Sequence, residues 1–169
     1  MVVRPERESD FSEIQSLVET AFTGTKHTDG DEHNLVNRLR GSNEYIPGLS
    51  LVAEVNGRIA GYAMFSRIYI GNTEAIALAP LAVLPDFQNR GIGMALIAYG
   101  HRKAKEYGYN CSVVLGSPEY YSKSGYLTAS AFGIIAPFEI QPEFYMVFPF
   151  KAELPQGTVR YSPAFGLNS

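Results

Sequence analysis

Residues 81–107 constrain the fold more than any other stretch of this chain. An apolar run ending at Leu84 meets Pro85, passes through Gly91 and Gly93, and continues as a periodic segment to Tyr107, with Gly108 as a natural stop. Ile92, Ala95, Leu96 and Tyr99 recur at helical spacing, so they read as one apolar stripe. Arg102, Lys103 and Lys105 put positive charge where the helix dipole is negative. A buried strand that runs through glycines into a strong helix must lay that helix on a sheet.

The flanking segments say what kind of sheet. Residues 49–55 and 59–65 are strand-like runs around Asn56-Gly57, a pair suited to a two-residue hairpin because both positions take φ > 0. The second run extends toward Ile70, and Gly71-Asn72 marks another turn. Residues 74–83 then form a third strand whose apolar content suits a central position. Before them, Val2 to Arg4 reads as a short strand stopped by Pro5. Asp10 and Glu13 resemble a capping pair for a helix carrying Ile14, Leu17, Val18 and Ala21. A second helix over 31–40 turns Leu35 and Leu39 inward, after a polar stretch, 23–30, with the composition of a mobile loop.

After the long helix, 111–115 is a short buried strand and 118–124 holds one or two helical turns. Residues 126–135 and 144–150 close the sheet as strands. The final stretch, with Pro155, Gly157, Pro163 and Gly166, reads as an irregular tail packed on the domain. The expectation is one α/β (α+β) domain over 1–150 with a tail over 151–169. Its sheet is mixed, mostly antiparallel and twisted, with helices on both faces. At 169 residues the chain is long enough to bury a sizeable core.

The strand–glycine–helix segment also carries chemistry. The first amides of a helix have no partner inside it, and that end of the dipole is positive, so it receives phosphate. Gly91 and Gly93 remove Cβ atoms that would hold a phosphate away, and Arg90 adds charge. Nothing matches a P-loop. The dinucleotide fingerprint fails because Leu96 stands where its third glycine belongs, and the next strand ends at Leu115 without an acid.

The run Gln88-Asn89-Arg90-Gly91-Ile92-Gly93 resembles the Gln/Arg-x-x-Gly-x-Gly/Ala motif of the GNAT superfamily of N-acetyltransferases. Leu81, Ala82 and Val83 occupy that family's strand before the motif. Tyr120-Tyr121-Ser122-Lys123-Ser124-Gly125-Tyr126 is similar to its Phe-Tyr-x-Lys-x-Gly-Phe segment. The resemblance covers roughly residues 1–150. It implies a GNAT-like fold, acetyl-CoA as co-substrate, and a cofactor site made by Leu81, Ala82, Val83, Gln88, Asn89, Arg90, Gly91, Ile92, Gly93 and Met94. It also implies that the strand before the motif splays from the next, opening a wedge for pantetheine. Pro80 supports a break there independently, because it has no N–H for a ladder. By motif position Tyr121 resembles the family's general acid, the alternative being that both tyrosines simply pack over the cofactor.

The base stays open. Many relatives carry a Glu in that strand, and residues 75–83 hold no carboxylate. Glu74, Glu54, Glu32, His33 or a water are the alternatives, with Asp29 and Asp31 near the second helix. For each of these side chains a solvated charge or a helix cap is the better reading. Cys111 reads as a small core residue. His27, His33 and His101 have no ligand spacing, so no metal is expected.

A formal charge of −3, no apolar run of about 18 residues and one cysteine argue against nucleic-acid and membrane partners and for the cytoplasm. The acceptor is expected to be a small-molecule or peptide amine, with specificity in 23–30, the second helix and the C-terminal strands. Exposed edges and a C-terminal part rich in aromatics are compatible with a homodimer. Two other classes compete with the enzyme: a non-catalytic acyl-CoA sensor and a nucleotide-binding domain.

Overall fold

The computed structural model describes residues 1–24 and 30–167. Helices lie on both faces of a nine-stranded sheet whose main path runs β1-β2-β3-β4-β5-β8-β6. The strands are β1 Val2–Pro5, β2 Tyr45–Val55, β3 Arg58–Ile70, β4 Thr73–Val83, β5 Cys111–Leu115, β6 Leu127–Thr128, β7 Ile134–Ile135, β8 Tyr145–Pro149 and β9 Gly157–Arg160. The helices are α1 Phe11–Phe22, α2 Glu32–Arg40, α3 Ile92–Glu106 and α4 Pro118–Tyr121. All the pairings on the main path are antiparallel except β4 with β5, so the expected mixed, mostly antiparallel sheet is what forms.

Turn chemistry sets the first half. Asn56 (φ 53°) and Gly57 (φ 77°) join β2 to β3 as a two-residue hairpin, with Val55 opposite Arg58. Gly71 at φ 62° turns β3 into β4. The long β3 and β4 are central; β3 is almost wholly buried, and β4 is buried through its middle. On one face, α3 seats Leu96 and Ile97 against Leu51, Ala63, Phe65 and Ile76. On the other, Ile14, Leu17, Val18, Val36 and Leu39 of α1 and α2 meet Val52, Ile59, Tyr62 and Met64.

Several local expectations change. Asp10 does not cap α1: its carboxylate accepts from the Arg7 amide at 2.7 Å and from Arg4 at 2.7 and 3.0 Å. Glu13 instead accepts from the Ile59 amide at 2.7 Å, so the pair ties the helix to β1 and β3. Arg4 reaches both Asp10 and Glu54, and it holds the Asp10 carboxyl below the usual carboxylate range. In α2 the inward pair is Val36 and Leu39, with Leu35 half-buried at the rim. In α3 Ile92 and Leu96 are buried as expected. Ala95 and Tyr99 are only half-buried, and Ile97, Gly100, His101 and Ala104 complete the inner face.

The second half is more broken than its composition implies. Residues 126–135 do not form one strand, because a 3-10 turn at Ala129–Phe132 separates β6 from β7. The last stretch is not irregular throughout. β9 pairs antiparallel with the end of β3 (Tyr69 with Arg160, Ile70 with Val159) and parallel with β7. Residues 25–29, including His27, Asp29 and most of the loop expected over 23–30, lie outside the described residues. Among the described residues, no helix is long and apolar enough to cross a membrane.

Candidate active site

The site begins where β4 leaves its neighbours. In register with β3, Leu78 faces Phe65 and Leu81 faces Ala63, so Ala79 and Pro80 together oppose Met64 alone. That two-against-one step is the bulge that Pro80 requires, and its peptide bond with Ala79 is cis. On the other edge β4 pairs with β5 only at Ile76–Ser112 and Ala77–Val113. Beyond Ala77 the strands part, and the wedge between them is lined by Leu78, Ala79, Pro80 and Leu81 on one side and Val114 and Leu115 on the other.

Above the wedge the chain prepares a helix start. A 3-10 turn at Pro85–Phe87 ends β4, and the Gln88 side chain donates from Nε2 to the Val83 carbonyl at 3.2 Å. Asn89 (φ 63°) and Gly91 (φ 79°) both take the left-handed conformation, and Gly91 is the N-cap of α3 with no side-chain cap. A Cβ on Gly91 would meet nothing within 4 Å, whereas one on Gly93 would run into the Tyr120 hydroxyl. The backbone therefore borders a cleft of about 620 Å³, lined here by Leu81, Val83, Gln88, Asn89, Gly91, Ile92, Gly93 and Met94. Lys123 brings a cation to its wall, with Phe87, Tyr120 and Tyr121. Unpaired helix amides, glycine backbone and a nearby ammonium are what a pyrophosphate needs.

Two of the ten residues expected at a cofactor lie off this lining. Ala82 is buried on the opposite face, among the residues under α1 and α2. Arg90 is exposed, with its guanidinium carbon 5.3 Å from the Phe87 ring centre.

Tyr121 sits where the cleft and the wedge meet, and with Leu81 it lines both. Ser117 caps α4 by accepting from the Tyr120 amide at 3.4 Å, which sets the two tyrosines on one short turn. The Tyr121 ring is packed edge-on against Tyr120 and Tyr126, at 4.9 and 5.7 Å between centres. Gly116 faces the same ring so closely that any Cβ there would displace it. Burial, then the Tyr120 hydroxyl, pushes the Tyr121 pKa up, so the phenol keeps its proton at neutral pH.

On the far side, the wedge opens into a pocket of about 330 Å³. Its walls are Phe22 of α1, Glu32 and Leu35 of α2, Phe138, and Tyr161, Phe165 and Leu167 near the C-terminus. Of the base candidates, Glu32 alone lines a cavity with Tyr121 among the described residues. Glu54 is held by Arg4 at 2.6 Å, and Glu74 lies 3.7 Å from Arg67 at the other end of β4. His33 faces Glu19 at 3.8 Å. Asp31 pairs with Arg38 at 2.8 Å. Cys111 is fully buried and its thiol is pushed up to about 12 by burial, as suits a core residue.

Gly116, Tyr161, Phe165 and Leu167 were not singled out by the sequence. Gly116 lies one residue beyond the β5 strand run, and no local pattern marks the others as facing α2.

A splayed strand, an uncapped glycine-lined helix start and a tyrosine at their junction define the class: an acyl-CoA-type acetyltransferase fold. A model of the Acetyltransferase (GNAT) family matches residues 11–126, and the chain belongs to that family. It is 34% identical over 140 residues to the N-acetyltransferase YjhQ of Escherichia coli strain K12, covering 80% of this chain and 75% of YjhQ. A crystal structure of a GNAT family acetyltransferase from Brucella melitensis in complex with acetyl-CoA superposes at TM-score 0.82. The two are 32% identical, and the match covers 97% of each chain. The structure of Escherichia coli YhbS with CoA superposes at 0.89, with 25% identity over 99% of this chain and 93% of YhbS.

Proposed function

We propose that this chain transfers the acetyl group of acetyl-CoA to a primary amine by direct attack, with Tyr121 as general acid. One observation carries the proposal: the glycine cleft at the start of α3 and the wedge between β4 and β5 share Leu81 and Tyr121. A donor and an acceptor entering from opposite sides therefore meet beside one phenol. The CoA species held by the Brucella melitensis and YhbS structures support the donor.

The cofactor residues take roles from their placement. The start of α3 with Gly91, Gly93 and Met94 receives the pyrophosphate, and Gln88 and Asn89 shape the loop that holds it. Leu81 to Val83 pair with β3 along one edge, so amides directed to the splayed edge bond pantetheine and polarise the thioester carbonyl. The amine nitrogen bonds to the carbonyl carbon as the carbon–sulfur bond breaks. Tyr121 gives its proton to the departing sulfur, and the nitrogen's surplus proton passes to water, from which the phenolate is reprotonated.

The test is Tyr121→Phe, followed by release of free CoA thiol and by acetyl-CoA binding. Turnover should fall about 100-fold or more while the acetyl-CoA Kd stays within about twofold. Unchanged turnover removes Tyr121 from the chemistry. Tight acetyl-CoA binding with no thiol release on any amine favours the sensor instead.

A further inference from the structure

Gly93 lacks a Cβ for a reason beyond phosphate access. The Tyr120 hydroxyl lies against it in the first turn of α3, and any Cβ there would collide with that oxygen. Tyr120 is held by its backbone and its ring: its amide donates to Ser117 at 3.4 Å, and its ring sits edge-on to Tyr121 at 4.9 Å between centres. Its hydroxyl bonds to no protein group among the described residues. Burial pushes the Tyr120 pKa up, so at neutral pH the phenol keeps its proton and meets the cleft as a donor.

The cleft is therefore lined by donors on two sides. On the α3 side, the first helical bond runs from the Ala95 amide to the Gly91 carbonyl at 3.0 Å, which leaves the amides of Ile92, Gly93 and Met94 without an acceptor. On the α4 side, Tyr120 and Lys123 stand three residues apart on the turn that α4 makes with the 3-10 turn Ser122–Ser124, so both face the cleft. Gln88, Asn89 and Tyr121 are the other polar side chains of the lining, and no carboxylate stands among the described lining residues. A diphosphate offers more non-bridging oxygens than one turn of helix amides can satisfy. Each oxygen left without a donor in a partly buried cleft weakens binding.

We propose, resting on the acetyl-CoA site read above, that the Tyr120 hydroxyl donates a hydrogen bond to the diphosphate of the acyl donor. It closes a clamp whose other side is the backbone of Ile92, Gly93 and Met94, and Gly93 is the glycine that lets the two sides approach.

The test uses the full chain and Tyr120→Phe, a change that keeps the ring and removes the oxygen. Measured by calorimetry, Tyr120→Phe should raise the CoA Kd about tenfold. Phosphorus NMR of CoA at saturation then locates the bond: the diphosphate signals should differ between the two proteins, while the 3′-phosphate signal stays where it is. An unchanged Kd overturns the proposal. So does a raised Kd with unmoved diphosphate signals, because the oxygen would then act through packing. A shift of the 3′-phosphate signal alone puts the hydroxyl on another group and overturns it as well. If the wild type itself fails to bind CoA, the donor site is refuted and this proposal falls with it. Binding by the wild type with no loss in Tyr120→Phe refutes the hydroxyl contact alone.

Discussion

His101 shows how far a residue's role depends on its neighbours. It has no ligand spacing in the sequence, and in the fold its Nε2 lies 2.9 Å from the Tyr126 hydroxyl, which lies 2.9 Å from the Ser112 hydroxyl. Phe148 stacks 4.2 Å away, and burial lowers the imidazole pKa to about 4. The unfolded histidine binds a proton near pH 6.5, so between about 6.5 and 4 the unfolded state holds more protons. The stabilisation is therefore complete above pH 6.5 and is lost as pH falls toward 4, roughly 3 kcal/mol in all. Urea unfolding of the wild type should show that loss, and His101→Gln should show a smaller one over the same window. Parallel curves for the two proteins would dismiss the effect. The motif singled out Tyr121, which the fold sets where the cleft and the wedge meet, but no motif singled out Gly116, which leaves room for its ring.

At the scale of elements, α3 was predicted as a helix and observed as one, yet its inner face was only half read. Hydrophobic spacing finds Ile92 and Leu96 because they are large and apolar. It gives no weight to glycine, and two glycines bring the helix onto the sheet. Gly61 on β3 faces Ile92 and Leu96, and Gly100 on α3 faces the Phe65 ring, each so closely that a Cβ would clash. In a solvent-facing helix, Gly→Ala stabilises by about 1 kcal/mol. Here Gly100→Ala should destabilise by about 1–3 kcal/mol, because the Phe65 ring must move in a packed core. A raised urea midpoint would contradict this packing account. The same limit explains 126–135, where an apolar run that looks continuous is interrupted by the 3-10 turn at Ala129–Phe132.

At the scale of the whole molecule, the C-terminal segment completes the pocket. β9 covers the end of β3 beyond its pairing with β2, and Tyr161 and Phe165 follow directly. Arg38 on α2 donates to the Ala164 carbonyl at 2.8 Å, joining the wall that carries Glu32 to the wall that carries the rings. Arg38→Ala should loosen that joint and raise the amine KM about fivefold, on the order of 1 kcal/mol, with acetyl-CoA affinity unchanged. Steady-state kinetics against a binding titration separates the two effects. A matching loss in both would mean that the joint supports the entire fold.

The sequence by itself determined the features that need only short stretches of chain. The Asn56-Gly57 hairpin, the break at Pro80 and the glycine start of α3 each follow from the conformations open to two or three consecutive residues. The uncapped glycine loop before α3 and the family motifs were legible for the same reason. Tertiary structure alone assembles the pocket beyond the wedge, whose walls come from α1, α2, β4, β5, Phe138 and the segment after β9. Apolar side chains so far apart in sequence meet because the sheet places them there. No local pattern distinguishes a ring that lines a cavity from one that fills the core.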